Sequence, residues 1–305
     1  HAAGYGALGW RSAYYRAHFP AAWAVGVLNH HAGMYATWVH VEDLRRAGVR
    51  FLPPSVDRSA WDTTLEATGS DAGAGPAVRV GLGRVFGLTR AAGERIVAGR
   101  AVRPFRDLAD LVERARPALP ELEALVLAGA LDGAGRTRPS LLLEARVSAL
   151  RAERSPGPRG RALALVGPDG ADLAPPPVAP VATPDLPEFD TAERVRGEWR
   201  TTGLWFSGHP LDDLADTADP GLVPADRVGR HAGRRVAVAG LSCARRRVET
   251  RTGESMLFLT LADRAGLVEC VLPPAVYRAH AAATRATALR VEGRVEVTLD
   301  AVTLH

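Results

Sequence analysis

Several common residue types are missing or rare in this chain of 305 residues, and each absence limits what the chain can be. It has no lysine and no glutamine, a single asparagine (Asn29) and a single isoleucine (Ile96), so its 38 lysine-or-arginine positions are all arginines. This composition is typical of GC-rich coding rather than of selection for a function. The formal net charge of +4 is also modest. The places where arginines cluster therefore indicate more than their number.

Cysteines and long apolar runs are also scarce. Cys243 and Cys270 lack the spacing of a metal site, which indicates two unpaired thiols in a cytoplasmic protein. No apolar run reaches about 18 residues, so the sequence predicts no membrane span. Arg11, Arg16 and His18 interrupt the N-terminal segment, which excludes a signal peptide there. The nine histidines show no metal or catalytic pairing, so no catalytic or metal-binding residue is predicted.

Residues 81–131 show the periodicity of two consecutive helical hairpins. The turn of the first lies at Gly87, and many such hairpins have a second glycine where Thr89 stands, which predicts a wider turn here. A tight turn of this kind frees backbone N–H groups, which together with the positive end of the helix dipole hold a DNA phosphate without reading sequence. An ordinary turn between two packed helices is the alternative. The candidate DNA-contacting residues are Arg84, Gly87, Leu88, Thr89, Arg90 and Arg95.

The second hairpin and the segment after it show no binding pattern of their own. Leu122, Leu125, Val126 and Leu127 are predicted to lie in the core of the second hairpin. Residues 151–190 are rich in proline and glycine and lack a periodic pattern, which predicts a linker.

Short runs of alternating apolar residues return from Arg234 onward. They predict strands at 234–241, 254–262, 266–273 and 286–304, the last of which covers two strands. A helical stretch, Ala275–Thr284, falls after the third strand. Five strands with a helix after the third is the arrangement of the OB-fold.

Arginines cluster at the start of this all-β region. Within 25 residues, only Glu249 opposes Arg227, Arg230, Arg234, Arg235, Arg245, Arg246, Arg247 and Arg251. Arg245–Thr252 is predicted to form the loop between the first two strands, which OB-folds use to grip single strands. A solvated arginine surface is the alternative. The candidate DNA-contacting residues are Arg235, Arg245, Arg246, Arg247, Arg251 and Phe258.

Phe258 has two interpretations. It lies on the second predicted strand with Met256 and Thr260, and it stacks a base if that face points outward. The strand pattern slightly favours a position in the core. Because aromatic residues are scarce in this region, any affinity for nucleic acid is expected to be mostly electrostatic and sensitive to salt.

The connector before the all-β region resembles a known family. Its sequence Gly203-Leu204-Trp205-Phe206-Ser207-Gly208-His209-Pro210-Leu211 resembles the segment before the OB domain in bacterial DNA polymerase III alpha subunits, the C-family polymerases. Further segments resemble the same family in the same order, and this order makes the resemblance specific. They are Ala13–Trp23, Val49–Pro54, Arg84–Ile96, Pro104–Leu108 and Ala128–Asp132. The form Gly87-Leu88-Thr89 and a chain that ends just after the OB pattern favour the error-prone paralogue used in damage bypass.

The resemblance implies a multidomain α+β chain. It places the end of the polymerase fingers domain at residues 1–60, and a small hairpin with a tandem helix–hairpin–helix domain at 61–150. A linker at 151–190 and a connector at 191–223 follow. Residues 224–305 are expected to form a C-terminal five-stranded OB-fold β-barrel.

The resemblance also implies a function. The chain is expected to be the C-terminal DNA-binding part of a DNA-directed DNA polymerase, contacting duplex and single-stranded DNA. In the family the catalytic palm and its Mg²⁺ lie upstream, so this chain is expected to hold no cofactor and to be inactive alone. A non-catalytic DNA-binding adaptor, or a scaffold whose OB domain binds a protein, are the alternatives.

The linker occupies the place of a sliding-clamp-binding peptide in the family, of Gln-x-x-Leu-Phe type. Here Ala162 and Val166 replace the glutamine and the phenylalanine, so the amide contact and the aromatic area are both lost. Leu163, Leu165 and Val166 therefore form either a degenerate clamp peptide or an ordinary apolar stretch. The sliding clamp and other polymerase subunits are the further partners that the resemblance suggests.

Overall fold

The computed structural model describes residues 2–30, 35–67, 75–154, 183–213, 219, 221–299 and 301–305. The chain divides into two compact units. One unit contains His1–Phe51, Leu65–Val78 and Leu204–His305; the other contains Leu52–Thr64 and Arg79–Gly203. The five segments expected from the sequence stay a prediction.

The N-terminal region consists of three helices, α1 (Ala2–His18), α2 (Pro20–His30) and α3 (Thr37–Arg46). Pro20 opens α2 because proline fits the first turn of a helix, where its missing N–H costs nothing. Three short strands follow, β1 (Phe51–Leu52), β2 (Thr64–Glu66) and β3 (Ala77–Arg79), and they form a sheet in the order β1-β3-β2.

The helical region after β3 begins with a single 3-10 turn, Leu82–Arg84. It continues through α4 (Arg90–Val102), α5 (Leu108–Ala115), α6 (Leu119–Leu127), a 3-10 turn (Asp132–Ala134), α7 (Arg138–Arg154) and α8 (Thr191–Thr202). Fully buried aliphatic side chains fill its core, among them Leu82, Ile96, Leu111 and Leu125. The predicted pair of hairpins is confirmed, and the first helix of the first hairpin is only the short 3-10 turn.

A buried ion network connects α7 and α8. Arg138 has only 2% of its surface exposed, and its guanidinium donates to both carboxylate oxygens of Asp132. The same group donates to the buried carboxylate of Glu198 at 2.9 Å. Because removal of Arg138 or Glu198 leaves the other charge buried without this partner, either change is expected to destabilise the contact between the two helices.

Five strands form the C-terminal region, after a 3-10 segment at Ala225–His231. They are β4 (Arg235–Glu249), β5 (Ser255–Ala262), β6 (Leu267–Leu272), β7 (Ala288–Thr298) and β8 (Ala301–Leu304), with α9 (Pro274–His280) between β6 and β7. Neighbouring strands pair in the order β4-β5-β6-β8-β7, and β7 pairs back with β4, so the ring of strands closes. Only β6 and β8 are parallel. The predicted mixed α+β class is confirmed.

The prediction that Arg245–Thr252 forms a loop is wrong for its first five residues, and only residues 250–252 of this stretch lie between the two strands. Strand β4 continues to Glu249 and stays paired with β5, with Arg246 opposite Phe258 and Glu249 opposite Ser255. Arg245–Arg247 are all exposed, so this end of the strand has no alternation of apolar and polar residues to mark it. A shift of register between Ser242 and Ala244 separates this end from the rest of β4. The end of β4, the turn after it and the first half of β5, residues 245–258, are called the arginine ribbon below.

No helix in the described part of the chain has the length and apolar character that crossing a bilayer requires.

Candidate nucleic-acid interface

The first hairpin turn is built around Gly87. Its φ is +86°, in the left-handed region where a side chain strains the backbone, and an added Cβ would meet no atom within 4 Å. Leu88 then points inward, with 8% of its surface exposed, and joins the hydrophobic core. The turn is therefore anchored from inside while its outer side stays open.

Thr89 caps α4 and fixes the end of the turn. Its hydroxyl oxygen accepts a hydrogen bond from the N–H of Ala92, as N-cap threonines do. Its own N–H and hydroxyl both donate to Oε1 of Glu121, at 2.9 and 2.6 Å. A glycine at this position would supply neither the cap nor the hydroxyl, so threonine is not merely a tolerated replacement for glycine here.

Glu121 was not among the residues predicted from the sequence. Its Oε2 accepts the N–H of Ala118 at 2.8 Å, which caps the start of α6. Burial opposes ionisation, but the hydrogen bonds from Thr89 and Ala118 outweigh it and hold the pKa of Glu121 below its ordinary value. Glutamate at the third position of a helix is a known capping pattern, and it could have marked this residue, although not its contact with Thr89.

The N–H groups of Arg90 and Ala91, at the start of α4, have no hydrogen-bond partner within the described ranges. They lie at the positive end of the helix dipole, beside the open side of Gly87. Such a pair of donors is suited to a phosphate oxygen.

Arg84 and Arg95 are occupied inside the helical region. Arg84 donates from Nε to the carbonyl oxygen of Thr202 at 3.0 Å, and burial lowers the pKa of Arg84. Arg95 donates to the carbonyl oxygens of Ala115 and Arg116, at 2.7 and 3.1 Å. The structure thus places both candidates next to the hairpin, but their guanidinium groups donate to carbonyl oxygens of the protein itself.

Arg90 lies on the exposed side of the turn. Its Nε is 2.9 Å from Oε1 of Glu94, and its guanidinium carbon is 5.5 Å from the centre of the Trp61 ring. Trp61 packs against Gly83 and Gly93, where an added Cβ would come within 2.8 and 2.5 Å of the ring. The aromatic ring therefore fills the space between the two helices of the hairpin and supports Arg90.

A second group of arginines surrounds Asp110 in α5. Arg103 and Arg114 each hydrogen-bond its carboxylate, and Arg106 lies 3.8 Å from it. The hydrogen bonds from Arg103, above all, hold the pKa of the buried Asp110 carboxyl far below its usual range. Three guanidinium groups therefore lie around this one buried carboxylate, and Asp107 and Glu113 also act on Arg103.

The arginine ribbon carries the remaining candidates except one. Arg245 donates to the Ser242 hydroxyl and to the Ala286 carbonyl oxygen, at 2.8 and 2.6 Å. Arg247 and Arg251 are exposed, and their side chains have no ion-pair or hydrogen-bond partner among the described residues. Arg245, Arg246 and Arg247 therefore follow one another at the end of β4, and Arg251 lies in the turn after it.

Phe258 does not lie in the core, so that interpretation is wrong. Strand β5 turns Leu257 and Leu259 into the ring, and Phe258 between them faces outward and is half-buried. The guanidinium carbon of Arg246 lies 5.1 Å from the centre of its ring. Arg235, the remaining candidate, forms an exposed ion pair with Glu292 at 2.8 Å, at the other end of β4.

The connector motif has a packing role. His209 Nδ1 accepts the N–H of Leu211 at 3.1 Å, and its ring lies 5.3 Å from the ring of the buried Trp205. Burial lowers the pKa of His209, which favours the neutral ring. Its Nε2 is 3.8 Å from the buried carboxylate of Glu42. These contacts give His209 a structural role in the connector.

Leu163, Leu165 and Val166, the candidate clamp peptide, lie outside the described residues. Within the described residues, no group of three or more His, Cys, Asp or Glu side chains is placed to hold a metal ion.

Comparison with known proteins places the helical region in a recognised class. Residues 48–141 match the family model described as a helix-hairpin-helix motif. This range contains both predicted hairpins, the turn at Gly87 and the Glu121 contact.

Nearly the whole chain is similar to error-prone DNA polymerases. It is 37% identical over 314 residues to the protein of that name from Anaeromyxobacter dehalogenans (strain 2CP-C), which covers 97% of this chain. It is 37% identical to that of Azoarcus sp. (strain BH72) over 89% of the chain, and 33% identical to that of Mycobacterium tuberculosis (strain CDC 1551 / Oshkosh) over 100%. The chain spans about a quarter of the length of these curated relatives, from 24% to 26%. The resemblance predicted from the ordered motifs is confirmed.

Proposed function

We propose that this chain is the C-terminal DNA-binding part of an error-prone, DNA-directed DNA polymerase. The observation that carries the proposal is the similarity to error-prone DNA polymerases over 97% of the chain, together with the helix-hairpin-helix match. The similarity extends through both units, which favours a polymerase segment over an adaptor that shares only a hairpin module.

The first hairpin supplies the contact with duplex DNA. A phosphate oxygen binds the free N–H groups of Arg90 and Ala91, on the open side of Gly87, without contact to a base. The guanidinium of Arg90 and the exposed arginines around Asp110 add long-range attraction for the backbone. Binding is therefore weak and independent of sequence.

The closed ring of strands is an OB-fold in this proposal. Numbered from β4, the strands follow the order 1-2-3-5-4, the third and fifth are parallel, and a helix follows the third. These features support the OB-fold interpretation. The arginine ribbon, with Phe258 beneath Arg246, then supplies the contact with a single strand, in which a base displaces Arg246 and stacks on the ring.

The two contacts are tested against each other. Phe258→Ala should weaken binding of a fluorescent single-stranded oligonucleotide by about tenfold, because stacking contributes about 1–3 kcal/mol per base. It should leave binding of a duplex unchanged. Arg235→Ala, at the end of β4 far from the ribbon, is the control and should change neither by more than about twofold. Equal loss on both substrates, or none on either, contradicts the assignment of the ribbon to single strands.

The activity of the whole protein is part of the same proposal. The parent would extend a primer with Mg²⁺ bound in a palm outside this chain. The sliding clamp and other polymerase subunits are proposed partners, and the cytoplasm is the proposed location. Competition of a synthetic peptide covering residues 160–170 with a known clamp ligand tests the first of these partners.

A further inference from the structure

Glu121 connects the two helical hairpins at the turn that carries the proposed phosphate site. It lies on α6, in the second hairpin, with 6% of its surface exposed. One oxygen of its carboxylate accepts both donors of Thr89, and the other accepts the N–H of Ala118. A single side chain therefore fixes the end of the first turn and the start of α6.

Arg95 makes the reverse connection. It lies on α4, in the first hairpin, and donates to the carbonyl oxygens of Ala115 and Arg116, where α5 ends. Arg116 has a φ of 47°, so the chain leaves α5 in the left-handed region and presents these carbonyls to Arg95. Each hairpin thus holds the turn of the other through one charged side chain.

We infer that Glu121 is a positioning residue for DNA binding, which holds the turn so that the N–H groups of Arg90 and Ala91 alone face a phosphate. The N–H of Thr89 is taken by Glu121, and that of Ala92 by the Thr89 hydroxyl. Of the four N–H groups from Thr89 to Ala92, two are therefore already hydrogen-bonded, and only those of Arg90 and Ala91 remain for a phosphate. This inference rests on the proposed function of the hairpin and adds the residue that sets its geometry.

The charge of Glu121 acts against the same binding event. A carboxylate near an anion site repels a phosphate, so its neutralisation strengthens DNA binding if charge is its only influence. If Glu121 positions the turn, the same change weakens DNA binding, because the donors lose their fixed direction. The sign of the change in affinity therefore separates the two roles.

The test compares Glu121→Gln with Glu123→Gln in the full chain, by anisotropy of a fluorescent duplex at one salt concentration. Glu123 lies on the same helix and pairs at the surface with Arg146, so its variant removes the same charge without a contact to the turn. We expect Glu121→Gln to weaken binding about fivefold, the equivalent of one lost hydrogen bond. Glu123→Gln should bind like the unmodified chain. Tighter or unchanged binding by a folded Glu121→Gln variant overturns the inference.

A second pair of variants guards against a folding defect at Glu121. Thr89→Ser keeps the hydroxyl that joins Glu121 and caps α4, whereas Thr89→Val keeps the shape of threonine without it. We expect the serine variant to bind the duplex like the unmodified chain and the valine variant to lose about fivefold. Thr89→Val also removes the cap on the Ala92 N–H, so the combined variant isolates the shared contact. It should lose less than the product of the two single losses, since both changes break the contact between Thr89 and Glu121. Full affinity in Thr89→Val overturns the inference.

Hydrogen exchange at the Thr89 amide separates this inference from the proposed function. With no DNA present, the amide should exchange slowly in the unmodified chain because Glu121 accepts its proton, while the amides of Arg90 and Ala91 exchange fast. Fast exchange at Thr89 overturns the positioning role even if DNA binds. Slow exchange with no binding of duplex DNA at any salt concentration instead contradicts the proposed function.

Discussion

Gly87 has a φ of +86°, and no atom lies within 4 Å of the place a Cβ would take. The cost of a side chain there comes from backbone strain alone. We predict that Gly87→Val lowers the free energy of unfolding by about 1–2 kcal/mol and weakens duplex binding. Gly87→Asn is the control, since asparagine tolerates this conformation and should retain most of both. Denaturant unfolding and anisotropy measure the two effects. A valine variant with unchanged stability and affinity would show that the turn does not need the left-handed backbone.

Asp110 lies in α5 and pairs with Arg103, Arg106 and Arg114, and 2% of its surface is exposed. Asp110→Asn should lower the free energy of unfolding at neutral pH by about 3 kcal/mol, because the arginines lose their buried partner. Asp185→Asn, at an exposed ion pair with Arg136, should change it by less than about 1 kcal/mol. Equal stability of the two variants would contradict the structural role of Asp110.

The same carboxyl makes stability depend on pH. The native pKa of Asp110 is lowered, so its contribution is complete above the ordinary carboxyl pKa of about 4 and is lost as pH falls toward the native value. The unmodified chain should therefore lose more stability than Asp110→Asn between about pH 5 and about pH 2. Parallel acid profiles for the two proteins would mean that Asp110 is not ionised in the native state.

At the scale of single elements, the alternation of apolar and polar residues predicted the core strands but not the strand at the arginine end of β4. Strand β5 alternates core residues such as Leu257 and Leu259 with outward ones, so its position followed from the sequence. The end of β4 has exposed arginines at three consecutive positions, and pairing with β5 holds it as a strand. Hydrogen bonds between strands produce no alternation of apolar and polar residues in the sequence of one strand. The sequence therefore predicted a loop at this end of β4.

The arginine ribbon gives a prediction about the salt dependence of single-strand binding. Replacing Arg245, Arg246 and Arg247 together by alanine should reduce the slope of log K against log salt by roughly two units. Melting should change little because all three side chains are exposed. The matched control replaces Arg235, Arg264 and Arg290, which pair with carboxylates outside the ribbon, and should leave the slope nearly unchanged. An equal effect of both triple variants would mean that only net charge matters.

At the scale of the whole molecule, the order of short motifs predicted the family, while the contacts between distant residues stayed hidden. The stretch Gly203–Leu211 and the hairpin at Gly87 were visible as local patterns. The Glu121 contact with Thr89 joins residues 32 positions apart, and that of His209 with Glu42 spans an even longer stretch of chain. A single sequence records which side chains are present, but packing decides which carboxylate meets which donor.

Catalysis gives a second prediction for the whole chain. The resemblance locates the metal-binding aspartates of the parent in a palm upstream of these motifs. The purified chain should therefore add no nucleotides to a primer in the presence of Mg²⁺ and deoxynucleoside triphosphates. A full-length relative such as that of Azoarcus sp. (strain BH72) serves as the positive control. Template-dependent extension by this chain that persists through further purification would contradict the proposal.

The central claim is that this chain binds the phosphate backbone of DNA. Titration with fluorescent duplex and single-stranded oligonucleotides from about 50 to about 200 mM salt tests it most directly. The account predicts binding to both without sequence preference, with log K falling linearly against log salt by several units of slope. Absence of binding to either oligonucleotide at the lowest salt, or an affinity that does not change with salt, would contradict it.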